Sequence, residues 1–383
     1  MIIYFLLFFL LLSFSFIPNK AIKPYWKTLI IISAVFFCGG YMTGSDWRQY
    51  ETYYNWLDYS GIMGLLFIEP GYVIYSYLFL IMGSPFWPFF ILTKIVLFYI
   101  IIKALAKYSI GNYKLSTVFF LIIFGLFLFI DNPMRNLIGI GISVFSYKYI
   151  IERKFYKFML IILCATSFHM SAILMLLLYP LYPIKASNKK LIIYYILFNL
   201  FFVIFFRFII LNIISIFSFI PLIERRMTVY FLEGDGLTNT SFFSLGFIFQ
   251  LIIFTLLLWK REYIERRKYG ELVFYGSICF LFLYRIGSLV DIFYRLQLYY
   301  SILYSISIGF LFSCFIIKSN KIIYSFCLSL YLSLVLYTTI TSDYKYIPYT
   351  NYFQYLYKEE MSFDERSEYN FINSPYNKSS SIN

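Results

Sequence analysis

"ERKFYKFMLIILCATSFHMSAILMLLLYPLYPIKASNKK", residues 152–190, sets the class of the molecule. Its middle, 158–183, is a nearly unbroken apolar run. Arg153, Lys154 and Lys157 stand before it, and Lys185, Lys189 and Lys190 after it. A run of this kind belongs in a bilayer, whose hydrocarbon core of about 30 Å takes about 20 apolar residues of helix. Lys and Arg of short loops stay on the cytoplasmic side, so both ends face the same way. Two crossings then share about 26 residues, each about 15–20 Å long at ~1.5 Å per residue. The stretch reads as a hairpin of short helices turning near "TSFHMS" (166–171), with the chain's only histidine, His169, at its apex.

The rest of the chain agrees. Of 383 residues, 61% are hydrophobic and 13% charged, whereas soluble domains run near half apolar and a quarter charged. Roughly a dozen apolar runs long enough to span predict an all-α polytopic membrane protein with about 12–14 transmembrane or re-entrant helices. The alternating pattern of a membrane barrel is absent. The run at the start, "MIIYFLLFFLLLSFSFI", lacks a basic region before it and a small-residue cleavage site after it, so an uncleaved first helix is expected. Five cysteines lie inside apolar runs without metal-type spacing and read as packing residues.

Net charge is +13, and its placement speaks for membrane orientation, not for nucleic acid. Six basic connections (18–27, 103–114, 152–157, 185–190, 260–268 and 318–321) are assigned to the cytoplasmic side. The neutral or acidic ones, 43–69, 131–136, 212–241 and 290–295, then face outward together with the hairpin apex. Residues 1–341 form one membrane domain, followed by a polar tail, 342–383, expected outside and partly flexible. A second strained stretch, 70–102, holds two apolar pieces split by "GSPFWP" where the charges allow one net crossing. One piece is therefore expected to be re-entrant or tilted, as irregular backbone is tolerated where protein covers it.

With that orientation the unusual polar residues gather on one side: Asp46, Glu69, Arg135, His169, Arg225, Arg226, Arg285, Asp291 and Arg295. Ionisable groups at membrane depth are costly unless paired or hydrated, which makes each a functional candidate. Each also has a plainer explanation. His169 can be a polar residue bonded across two helices, or a base, since imidazole titrates near neutral pH. Arg135 in "DNPMRN" can pair with Asp131, or offer its guanidinium fork to a phosphate or diphosphate at a helix start. Arg295 has Asp291 four residues earlier as a local partner. Arg285 lies deeper in its helix. For Glu233 and Asp235 in "IERRMTVYFLEGDG" (223–236) a solvated loop is the better reading.

Taken in order, "GSDWRQY" (44–50), "EPGY" (69–72), "NPMRNLIGIGISVF" (132–145), "TSFHMSAI" (166–173), "YRLQLYY" (294–300) and "YIPYTNYF" (346–353) resemble the EpsG family, Wzy-like bacterial polymerases of polysaccharide repeat units. The resemblance spans nearly the whole chain. It implies a glycosyltransferase of the bacterial cytoplasmic membrane that makes O-antigen, capsule or exopolysaccharide. Such an enzyme transfers a glycan from polyprenyl diphosphate to the non-reducing end of a second lipid-linked repeat at the outer face. A diphosphate leaving group is served by fixed cations, and the acceptor hydroxyl needs a positioned base. On this reading Arg135 and Arg295 hold the diphosphate, with Arg285 as a third. His169 is the first choice of base and Asp46 the second, while Tyr50 and Glu69 bind acceptor hydroxyls. No Asp-x-Asp motif appears, so metal-independent transfer without a cofactor is expected. Candidate partners are a chain-length regulator and a flippase. The rival readings are a flippase or transporter of lipid-linked oligosaccharide, against which the absence of duplicated halves speaks, and another polyprenyl-dependent glycosyltransferase or ligase.

Overall fold

In the computed structural model the 158–183 run is a helical hairpin. Helix Phe155–Phe168 ends at His169, whose backbone is extended, and the chain returns through a tight 3-10 helix, Met170–Leu177, and a last turn, Leu178–Leu181. Phe158 stacks on Tyr179 at 5.0 Å between ring centres. Arg153 donates to the Tyr179 carbonyl at 2.7 Å, so the two ends of the run come back together. Fourteen residues of helix lift His169 by about 21 Å, less than the full apolar thickness of a bilayer.

The structure describes residues 1–375 apart from 18, 62–67, 111, 183, 217–243, 290 and 359–360. Arg225, Arg226, Glu233 and Asp235 therefore lie outside the description, as does the side chain of Asp291. Among the described residues six helices are long and apolar enough to cross a membrane: Phe86–Tyr108, Tyr113–Asp131, Asn188–Phe206, Gly270–Leu289, Phe293–Cys314 and Lys318–Thr341. Five shorter apolar helices accompany them, so the chain is an all-α polytopic membrane protein. Residues 18–27, taken above for a loop, are helical from Asn19, the start of Asn19–Cys38.

Two of the long helices form the centre. The apolar windows of Tyr113–Asp131 and Phe293–Cys314 are each 83% buried, against 17% for Lys318–Thr341, which leaves the last helix at the rim. Small residues let the central helices approach: a Cβ on Gly309 would come within 2.3 Å of Ser116 Oγ. Close backbone approach is how helices associate where no hydrophobic driving force separates them from lipid.

Tyr113–Asp131 also defines two ends of the molecule. At its start the basic connections meet one another. Lys114 donates to the Ile17 carbonyl at 2.6 Å and Arg267 to that of Ile110 at 2.7 Å; Arg261 reaches Asn188 Oδ1 at 3.1 Å. At its finish, Asp131, the start of the 43–69 connection meets the segment after 341. The backbone N–H of Asp46 donates to the Asp131 carbonyl at 3.2 Å, and that of Gly44 to Lys345 at 2.8 Å.

The 70–102 stretch is a fold-back. Pro70–Ile81 runs into a turn at Met82–Pro85, and Phe86–Tyr108 returns beside it. The Tyr75 and Thr93 hydroxyls are 2.9 Å apart, and the Phe79 and Phe89 rings 5.0 Å. The first piece, 12 residues, rises only about 18 Å, too short to span.

Candidate functional site

The 43–69 connection, which opens with "GSDWRQY" (44–50), begins in a docked turn. Gly44 has φ +88, and a Cβ there would stand 1.9 Å from the Ile130 carbonyl oxygen, so only glycine fits. Ser45 donates to Asp131 Oδ1 through its backbone N–H at 3.0 Å and its hydroxyl at 2.6 Å. The chain is then helical over Trp47–Ser60, where a loop was expected. Trp47, Tyr50, Tyr54 and Leu57 are buried; spacings of three and four residues put them on one face.

Pro70 starts the next helix, and its neighbour Gly71 lies against the end of the hairpin's first helix, where a Cβ would meet Ser167 Oγ at 2.5 Å. That close approach sets Glu69 beside His169, with Nδ1 and Oε1 3.1 Å apart. The other oxygen of Glu69 accepts from Arg135 Nη1. Arg135 stands in the first turn of Met134–Ser143. Its backbone N–H donates to the Tyr50 hydroxyl at 3.3 Å. The preceding turn is held by the buried Lys94, which donates to Asn132 Oδ1 at 3.1 Å and to the Phe129 carbonyl at 3.3 Å.

Arg135, Glu69 and His169 thus form one hydrogen-bonded chain. Burial by itself would raise the Glu69 carboxyl, but the hydrogen bond to His169 and the charge of Arg135 overcome it and hold the group at about 2. Glu69 is a fixed anion at any physiological pH. With Nδ1–H of His169 donated to it, Nε2 carries the lone pair, and the Ser171 hydroxyl lies 3.4 Å from that nitrogen. A carboxylate that orients an imidazole in this way prepares it as a base.

A second pair lies next to the first. Arg295 Nη2 is 3.5 Å from Asp46 Oδ2, and Asn136, beside Arg135, donates to the Arg295 carbonyl at 3.4 Å. Burial and the neighbouring Asp131 push the Asp46 carboxyl up, against the pull of Arg295 and Lys345. Four buried polar atoms of Arg135, its neighbour and the Tyr-rich segment after Arg295 have no partner among the described residues: Arg135 Nε, Asn136 Oδ1, Gln297 Oε1 and the Tyr299 hydroxyl. Buried polar groups are ordinarily satisfied, so each of these exceptions calls for an explanation.

Six of the seven residues given roles from the family resemblance are therefore brought together: Asp46, Tyr50, Glu69, Arg135, His169 and Arg295. The partners differ from the local ones weighed above. Arg135 pairs with Glu69 and not with Asp131, whose carboxylate takes Lys345 at 2.9 Å. Tyr50 is buried, so its hydroxyl stands behind Arg135 instead of facing a cavity. Glu69 bridges two side chains, one through each carboxylate oxygen. The seventh, Arg285, donates to Asn199 Oδ1 at 3.1 Å and lies over the Phe247 ring. The sequence reading missed Tyr299, although it lies in the Tyr-rich segment after Arg295.

Fold and site together define a multi-pass helical membrane protein with an arginine–carboxylate–histidine chain near the Asp131 end of its central helix. Residues 23–351 match the EpsG family, and the chain belongs to it. Membership associates it with polysaccharide biosynthesis and a polymerase-like function. No curated protein and no solved structure matches the chain.

Proposed function

We propose that this protein polymerises polyprenyl-diphosphate-linked oligosaccharide repeat units at the outer face of the bacterial cytoplasmic membrane. The observation that carries the reading is the Arg135–Glu69–His169 chain, assembled from three separate parts of the sequence. The acceptor hydroxyl of one lipid-linked repeat gives its proton to Nε2 of His169, and its oxygen bonds to the anomeric carbon of the growing glycan. The bond from that carbon to the diphosphate oxygen breaks, and polyprenyl diphosphate leaves with the electron pair. Arg135 and Arg295 take up the charge of the leaving group; in a water-poor site such preplaced cations are worth more than in solution. Arg135 spends one N–H on Glu69 and keeps its buried Nε for this purpose. Asp46 holds Arg295 in place.

The test is polymer length in cells carrying His169→Ala, Arg135→Ala or Asp46→Asn at normal protein levels. Expected is accumulation of single repeats on the lipid at the outer face. Full-length polymer from all three removes the proposed site, and accumulation of inward-facing lipid-linked repeats points to a flippase instead.

A further inference from the structure

We infer that a cavity of about 540 Å³ under the C-terminal segment is a second site, which holds an uncharged stretch of glycan. The inference rests on the polymerase reading for the origin of its ligand, the nascent chain some sugars away from its reacting end.

The cavity lies along Trp47–Ser60, the helix that also borders the arginine–carboxylate–histidine chain. Tyr50 faces that chain, touching Arg135 and Tyr72. Glu51, Asn55 and Asp58 line the cavity and are spaced by four and three residues, one stripe of the helix. Trp87, from the "GSPFWP" turn, forms a wall, with Tyr352 stacked on it at 6.0 Å and 18° between ring planes. Tyr355 and Lys358 come from the tail. The tail is fixed there by Arg366, which grips Glu51 with two hydrogen bonds of 2.7 and 2.8 Å, both side chains being nine-tenths buried.

The chemistry of the lining selects the ligand. Glu51 and Asp58 balance Lys358 and Arg366, and the Glu51–Arg366 pair is internally neutralised, so neither a diphosphate nor a cation is favoured. Aromatic walls suit the C–H faces of sugar rings. The exposed Asn55 amide and Asp58 carboxylate supply donors and acceptors for hydroxyl groups, and the Trp87 indole N–H is buried without a partner among the described residues. The volume lies within the about 300–1,000 Å³ of ordinary ligand cavities. A processive polymerase needs such a hold, since the chain must stay close while each new repeat arrives.

The experiment uses the full-length protein in lipid nanodiscs. Size-fractionated oligosaccharides from mild acid hydrolysis of the host's own surface polysaccharide serve as probes, with binding read by tryptophan fluorescence and by saturation-transfer NMR. Fragments of several repeats should bind saturably. Asn55→Ala/Asp58→Ala, and separately Tyr355→Ala, should weaken binding about tenfold or more, while His169→Ala leaves it in place. Two independent variants guard against one that fails to fold. No saturable binding by the wild type, or unchanged affinity in both variants, overturns the inference. Extension of lipid-linked repeats is measured in the same nanodiscs. Binding without extension counts against the polymerase reading and leaves the cavity standing; extension without binding does the reverse.

Discussion

Glu69→Gln keeps the volume and one acceptor oxygen of Glu69 but removes the charge shared by Arg135 and His169. The carboxyl is held at about 2 instead of its ordinary 4.5, a depression worth roughly 3 kcal/mol at about 1.36 kcal/mol per unit. About a fifth of each side chain in the Arg135 pair is exposed, and solvent screening trims the figure to about 2 kcal/mol. The folded value lies below the unfolded one, so this stabilisation is present above pH 4.5 and lost as pH falls towards 2. The stability gap between wild type and variant should therefore be flat from about pH 5 to 8 and narrow below that. Activity should suffer more. An amide can donate to Nδ1, which moves the imidazole proton to Nε2 and abolishes the base; positioned bases contribute about 10²–10⁴-fold. The assays are thermal unfolding in detergent across pH and the rate of repeat addition in nanodiscs. A variant with wild-type rate, or a stability gap that widens on acidification, refutes the argument.

Three further outcomes are expected. Gly44→Ala forces a Cβ against the Ile130 carbonyl at a positive φ and should cost about 2 kcal/mol or more; Tm and polymer length should fall together, since the same turn carries Asp46. At the tail, Glu51→Ala and Arg366→Ala each strand a buried charge and should each cost about 3–5 kcal/mol. The double variant should cost less than their sum, and strict additivity in a double-mutant cycle by thermal unfolding would show the pair to be uncoupled. Lys94→Met deletes the hydrogen bonds to Asn132 and Phe129 and should cost about 1–3 kcal/mol. It should lower kcat more than it raises KM, because the turn it supports carries Arg135.

What the sequence disclosed and what it withheld differ in dimension. Bilayer thickness and the sidedness of Lys and Arg act along the chain, so the short hairpin at 155–181 and the fold-back at 70–108 were legible from run length and flanking charge. The helix at 47–60 was missed, because the polar character of the region argued for a loop, although Trp47, Tyr50, Tyr54 and Leu57 keep a helical spacing. Pairings were not legible. Nothing local joins Glu69 to His169 or Glu51 to Arg366, and a tail judged by its polarity alone gave no sign of a buried arginine. Asp131 and Arg135 show why even a local rule misled. Four residues apart, they would face each other on one helix. Asn132, however, takes a left-handed conformation at φ 69, and Pro133 follows. Asp131 thus closes one helix and Arg135 opens the next. The interruption turns Asp131 towards Lys345 and leaves Arg135 to the acid that Gly71 brings against the hairpin. An arginine at a broken helix junction is therefore better assigned to a distant partner than to the nearest carboxylate in the chain.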